Sequence, residues 1–246
     1  RLLVADDEVA ALEADGCFLE LLFELLDRHL GLLRIAPRNA QLRFEFPYAV
    51  VARIALRDPN MEGNPILAIQ DVEAIEEITD EQMAFMIRHT SGIICVPMTA
   101  ERLDELELPQ MVRLNTESHR TAFTLSVDAR EGVTTGISSA DRVQTVHALI
   151  DSNTRPVDIA RPGHMYPLRA AEGGVLRRAG HTEASVDLAL LAGLEPAAVL
   201  VEILNEDGTM ARRPDLIRFA RQHDLKIGTI ADLIRYRLQK EESVER

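Results

Sequence analysis

From Ile66 onward the chain alternates short β-branched runs with helical patterns, and this alternation restricts the fold more than any other feature. The runs "ILAIQ" (66–70), "IICVPM" (93–98), "TAFTLSVDA" (121–129), "MYPLRAA" (165–171), "AAVLVEIL" (197–204) and "KIGTI" (226–230) read as strands. Between and after them, residues 80–92, 99–106, 138–151, 181–193, 213–224 and 231–242 carry apolar residues at helical spacing. Their ends are marked: Asp80 reads as an N-cap with Gly92 past the helix end, Thr99 leads the next helix, and Pro214 lies near the first position of another. In 181–193 the apolar positions Val186, Leu190 and Leu191 share a face, and Gly193 is the expected stop. Such alternation predicts an α/β (α+β) fold, a mixed sheet flanked by helices, in one domain. Upstream, "YAVVARIAL" (48–56) reads as a strand, "RDPNMEGNP" (57–65) as a loop, and Gly16–Asp27 as an amphipathic helix too short and acidic for a membrane span.

Charge narrows the partners. With 27 Lys plus Arg against 40 Asp plus Glu, the formal net charge of −13 disfavours nucleic acid and acidic membranes, which need a basic surface. An anionic small substrate would need a local concentration of positive charge, as around Arg177 and Arg178. Cys17 and Cys95 are the two cysteines, far apart, so no disulfide framework is expected and a reducing, cytoplasmic setting is the default. No Walker loop, GxGxxG, HExxH or CxxC occurs.

Three clusters could carry chemistry. The first, "RRAGHTEA" (177–184), opens a helix, where amide N–H groups and the helix dipole favour an anion. There Gly180 permits close backbone approach, Thr182 offers a hydroxyl, Arg178 can make a bidentate contact, and His181 could ligate a metal. A Thr-capped helix with solvated arginines explains the same residues. The second, "RPGHMYPLRA" (161–170), has Pro162-Gly163 as a tight turn delivering His164 to the mouth of a strand, although a lone histidine is more often structural. In the third, Glu202 lies within an apolar strand, so it either pairs with an arginine or has a tuned pKa for proton transfer. "EGVTTGISSADR" (131–142) could add oxyanion contacts or be an ordinary capped turn, and Cys95 reads as a core thiol.

Taken in order and spacing, "MAFMIRHTSGIICVPMT", "GVTTGISSADR", "RPGHMYPLRA", "GHTEASVDLALLAGL" and "EILNEDGTMAR" resemble 3,4-dihydroxy-2-butanone 4-phosphate synthases of riboflavin biosynthesis. The resemblance runs from about Glu62 to about Leu238. It implies a homodimeric lyase, dependent on magnesium with manganese as the alternative ion. That lyase converts D-ribulose 5-phosphate to L-3,4-dihydroxy-2-butanone 4-phosphate and formate. Carried over by motif, His164 and Glu202 become the catalytic pair and His181 a metal ligand; Arg178, Ala179, Gly180, His181, Thr182 and Glu202 would bind substrate. The chemistry suits these types, since taking a proton beside a ketone needs a base near neutral pH and a divalent ion polarises the carbonyl.

The resemblance fails at an acidic loop, Asp-Asp-Glu-Asp-Arg-Glu-Asn-Glu-Gly-Asp, that supplies the family's second metal ligand. Counting back from Glu62-Gly63, Pro59 stands at the arginine, Asn60 at the metal-binding glutamate and Asn64 at the final aspartate. Glu62 is then the carboxylate candidate by position, opposite His181. The expected organisation is a divergent region 1–61, a synthase-like domain 62–238 and a charged tail or linker 239–246. "YRLQKEESVER" resembles the linker to GTP cyclohydrolase II in bifunctional relatives, so the chain is expected to be one domain of such a protein. The alternative is a non-catalytic homologue that keeps the fold and the dimer.

Overall fold

The computed structural model describes residues 49–54, 66–73 and 75–242 of the 246-residue chain. The expected helix at 16–27, the loop 57–65 and Glu62 lie outside them. Residues 47–234 form one compact unit that contains both sheets described below; the end of the last helix, from residue 235, belongs with a second unit.

Two antiparallel ladders join β1 (Ala49–Ile54) to β2 (Ile66–Glu73) and β2 to β6 (Lys226–Thr229), giving a three-stranded sheet in the order β1-β2-β6. The second sheet has the order β3-β5-β4, from Cys95–Met98, Ile159–Arg169 and Val127–Ala129. β3 runs parallel to β5 and β4 antiparallel to it, so this sheet is mixed, as the alternation predicts. All four residues of β3 are buried, the mark of a strand covered on both faces.

The segment 197–204 runs antiparallel to β3 without becoming a continuous strand. Single bridges join Met98 to Ala197, Cys95 to Leu200 and Ser91 to Ile203. The amide of Leu200 donates to the Cys95 carbonyl at 2.9 Å, and the Cys95 amide returns a bond at 2.8 Å. The expected strand 121–129 is likewise shorter than its alternation suggests: only Val127–Ala129 belongs to the ladder, and residues 121–126 touch it through single bridges such as Phe123 to Leu168.

The helices are α1 (Asp80–Thr90), α2 (Ala100–Glu105), α3 (Ser139–Ile150), α4 (His181–Leu191), α5 (Arg213–Gln222) and α6 (Ile230–Glu242). Asp80 is the first residue of α1, not its cap. Thr79 caps it through a box in which Gln82 N donates to Thr79 Oγ1 at 3.2 Å and Thr79 N donates to Gln82 Oε1 at 2.9 Å. A hydroxyl with a glutamine three residues on satisfies two orphan amides, whereas Asp80 as cap would satisfy one. Thr99 and Ser138 cap α2 and α3. α1 and α3 pack on one another, α3 against β4 and β5, and α4 against β3. Met83, Met86, Val96, Val127, Val146 and Met165 belong to the main core between them.

α4 differs from its expected amphipathic form. His181 through Ala189 are all buried, polar residues included, while Leu190 and Leu191 are 55 % and 41 % exposed. Asp187 and Ser185 are buried with specific partners: the Val175 amide donates to Asp187 Oδ2 at 2.8 Å, and Ser185 Oγ donates to the His181 carbonyl at 2.8 Å. That leaves the C-terminal leucines outside, just before Gly193 at φ +73°. Among the described residues, no helix is long and apolar enough to cross a membrane.

Candidate functional site

His164 lies within β5 and not after a turn. Opposite Ala160 and Met165 of β5 stand the adjacent residues Asp128 and Val127 of β4, so residues 161–164 form a bulge. Gly163 makes that bulge feasible. A Cβ there would stand 2.0 Å from Val127 C and 2.2 Å from Asp128 N, so the bulged main chain lies flat on β4. The expected Pro162-Gly163 turn is therefore a bulge in one continuous strand, because only a residue without a side chain can approach β4 so closely.

The bulge delivers His164 to Asp128, a residue the motif reading had passed over. The His164 amide donates to Asp128 Oδ1 at 2.9 Å, and His164 Nδ1 lies 2.8 Å from Asp128 Oδ2. The carboxylate can only accept, so in the neutral ring Nδ1 carries the proton and Nε2 is left with the lone pair. The imidazole side chain is 45 % exposed and the carboxylate 12 % exposed, so the base faces outward and its orienting partner inward. Burial pushes the Arg142 pKa down from its ordinary value, partly offset by the nearby Asp128 carboxylate. The signal for Asp128 was present: a carboxylate in "TLSVDA" is as costly inside a sheet as Glu202 is in its own strand.

A loop covers this pair. Gly136, at φ +83°, lies so close that a Cβ would meet Asp128 Oδ2 at 2.2 Å and His164 Nδ1 at 2.6 Å. The loop is held by Asp141 in the first turn of α3, whose carboxylate accepts from Thr134 N at 2.9 Å, Thr134 Oγ1 at 2.8 Å and Gly136 N at 3.0 Å. Those bonds, led by the one from the Thr134 amide, lower the Asp141 carboxyl from 3.8 to about 2. A depressed carboxylate stabilises the fold above its unfolded value and loses that contribution as pH falls through the folded one. Hydrogen exchange at the Thr134 and Gly136 amides is therefore expected to accelerate between pH 4 and pH 2 relative to other loop amides. Unchanged relative protection over that window would contradict the assignment.

The "RAGHT" corner is built by a partly buried ion pair. Glu183, fully buried, accepts from Arg178 Nη1 at 2.5 Å and from the Ala171 amide at 3.0 Å, tying the helix start to the exit of β5. Arg178 Nη2 also donates to the His119 carbonyl at 3.1 Å. Among the described residues its other three N–H groups make no hydrogen bond. Gly180 is the N-cap, and a Cβ there would meet Arg178 Nη1 at 2.2 Å and Glu183 Oε2 at 2.6 Å, so the close approach that needs glycine is to this ion pair. Thr182 does not cap α4; it and His181 lie buried in the first turn, while Ala179 is exposed.

Glu202 sits half-buried beside β3. The Ile93 amide is 3.5 Å from its Oε2, and Gly92 packs so tightly that a Cβ would lie 2.3 Å from the Glu202 carbonyl oxygen. It is paired with no arginine among the described ion pairs. Burial, then the Glu202 charge, pushes the Cys95 thiol up to about 12, so Cys95 is an uncharged core thiol. Among the described residues, no three His, Cys, Asp or Glu side chains gather to hold a metal ion. The described donors alone therefore do not make a magnesium site, which needs several oxygen ligands.

Residues 70–236 match the family model of 3,4-dihydroxy-2-butanone 4-phosphate synthase. The 3,4-dihydroxy-2-butanone 4-phosphate synthase of Proteus mirabilis is 57 % identical over 188 residues, covering 76 % of this chain and 85 % of that protein. The riboflavin biosynthesis protein RibBA of Salinispora arenicola is 53 % identical over 192 residues, covering 74 % of this chain; the chain spans 46 % of that longer relative. A crystal structure of 3,4-dihydroxy-2-butanone 4-phosphate synthase in complex with two magnesium ions superimposes with a TM-score of 0.69 at 43 % identity, covering 79 % of this chain and 93 % of that one.

Proposed function

The chain belongs to the 3,4-dihydroxy-2-butanone 4-phosphate synthase family, and from that premise we propose that it converts D-ribulose 5-phosphate to L-3,4-dihydroxy-2-butanone 4-phosphate and formate in riboflavin biosynthesis. The observation that carries this reading is the His164–Asp128 pair: an outward imidazole whose Nδ1 is held at 2.8 Å by an inward carboxylate. Such a pair fixes the tautomer with Nε2 available as a base, suited to removing a proton beside the substrate ketone. Glu202, half-buried with an uncharged thiol at its side, is the second proton-transfer group. At the other end, Arg178 and the start of α4 receive the phosphate, with Gly180, Ala179 and Thr182 shaping that corner.

Magnesium, or manganese in its place, belongs to this reading with His181 as one ligand. The partner carboxylate would come from residues outside the described ones, with Glu62 the candidate by sequence position. A bound divalent ion supplies carbonyl polarisation. The same reading includes a homodimer, a cytoplasmic location and the division at residues 61 and 238. Its rival, a folded but non-catalytic homologue, is favoured by Pro59, Asn60 and Asn64 in place of the family's acidic loop.

Formate release separates the two. Purified protein with ribulose 5-phosphate should release formate with magnesium and stop on chelation, and His181→Ala should abolish metal-dependent turnover while leaving the protein folded. A folded protein that releases no formate with either magnesium or manganese would select the rival.

A further inference from the structure

We propose that Asp141 is a positioning residue for proton transfer, fastening the loop 134–136 so that the Gly136 backbone stays against the Nδ1–Oδ2 contact of the His164–Asp128 pair. The inference rests on the reading of His164 as the proton-transfer group. Asp141 is buried, and all three hydrogen bonds its carboxylate accepts from the loop involve Thr134 or Gly136. Gly136 is also the loop residue that lies on Asp128 Oδ2 and His164 Nδ1. One carboxylate thus determines whether the Gly136 main chain stays in contact with the pair.

Asp141 is tied to β4 by its main chain as well. Its carbonyl accepts from Thr145 Oγ1 at 2.9 Å, and the same hydroxyl accepts from the Ala129 amide at 3.0 Å, one residue beyond Asp128. The loop above the pair and the strand beneath it are therefore referenced to one residue of α3. Loosening either lets water reach Asp128, and water competes for the Nδ1 proton that sets the tautomer. Asp141 hydrogen-bonds to neither His164 nor Asp128, so it acts through Gly136.

Asp141→Asn keeps the size but loses one acceptor oxygen and turns an NH2 toward the loop's donors. With the full chain, kcat for formate release is expected to fall about ten-fold, with KM within about two-fold, as for a loosened supporting contact. Thr134→Ala removes only the hydroxyl bond and should lower kcat by about three-fold in the same sense. Nuclear magnetic resonance supplies a readout independent of turnover: the His164 Nδ1 proton should be observable in the unsubstituted protein and lost to solvent exchange in Asp141→Asn. A variant with lower melting temperature but unchanged kcat and a retained Nδ1 signal would overturn the proposal. If Asp141→Asn does not fold, Thr134→Ala decides by the same two readouts. If the unsubstituted protein makes no formate, the functional reading fails alone, and the Nδ1 signal still decides the role of Asp141.

Discussion

Replacing His164 with glutamine is expected to lower kcat for formate release by roughly two to four orders of magnitude, the range over which a positioned acid–base group acts. Glutamine offers a donor and an acceptor but no group that takes up a proton near neutral pH. KM should change little, because the phosphate corner is built by Arg178, Glu183 and the start of α4, none of which bonds to His164. Asp128→Asn tests the other half of the pair. The carboxylate receives the His164 amide on Oδ1 and the ring on Oδ2; an amide has one acceptor oxygen, so one bond must break. Loss of roughly a hundredfold is expected from the misplaced ring and wrong tautomer. Both variants should melt close to the unsubstituted protein. Rates within a few-fold of it would remove His164 from the proton-transfer role.

The largest structural effect is expected at Gly163. Its missing Cβ would fall 2.0 Å from Val127 C and 2.2 Å from Asp128 N, and both obstacles are main chain that cannot rotate aside. Gly163→Ala must separate β5 from β4 or displace the bulge. Overpacking of this kind costs about 1–3 kcal/mol or more, which for a unit of this size lowers the melting temperature by roughly 2–12 °C. Turnover should fall as well, because the same displacement moves Asp128 from His164. Gly193→Ala is the control: it has φ +73° but nothing within 4 Å of its Cβ, so only the left-handed conformational cost of roughly 1–2 kcal/mol applies. Equal effects at the two positions would mean that the bulge does not depend on close approach.

Periodicity made the helices and most strands legible, because a repeat of two or 3.6 residues is written locally. Thr99 and Pro214 stand where their capping chemistry places them, and His164 and Glu202 stand out because a charged or ionisable residue is conspicuous in an apolar run. What local patterns do not carry is the identity of distant partners. Asp128 and His164 are 36 residues apart, and only the bulge in β5 joins them. Asp141 reads as an ordinary first-turn acid of α3, since its carboxylate is defined by a loop that folds back onto it. The polar face of α4 reads as solvent-facing because Arg178, the Ala171 amide and the Val175 amide, which satisfy it, precede the helix in chain order. The Pro162-Gly163 pair reads as a turn because a bulge within one strand has the same local composition.

The proposed carbon-releasing conversion of ribulose 5-phosphate draws on the His164–Asp128 pair. The most direct test follows the reaction with magnesium by proton and phosphorus magnetic resonance, for the unsubstituted protein and His164→Gln in parallel. The expected result is one formate and one four-carbon phosphate ester for each ribulose 5-phosphate consumed, with the variant nearly silent. Unchanged ribulose 5-phosphate with the folded unsubstituted protein, or equal conversion by the variant, would contradict it.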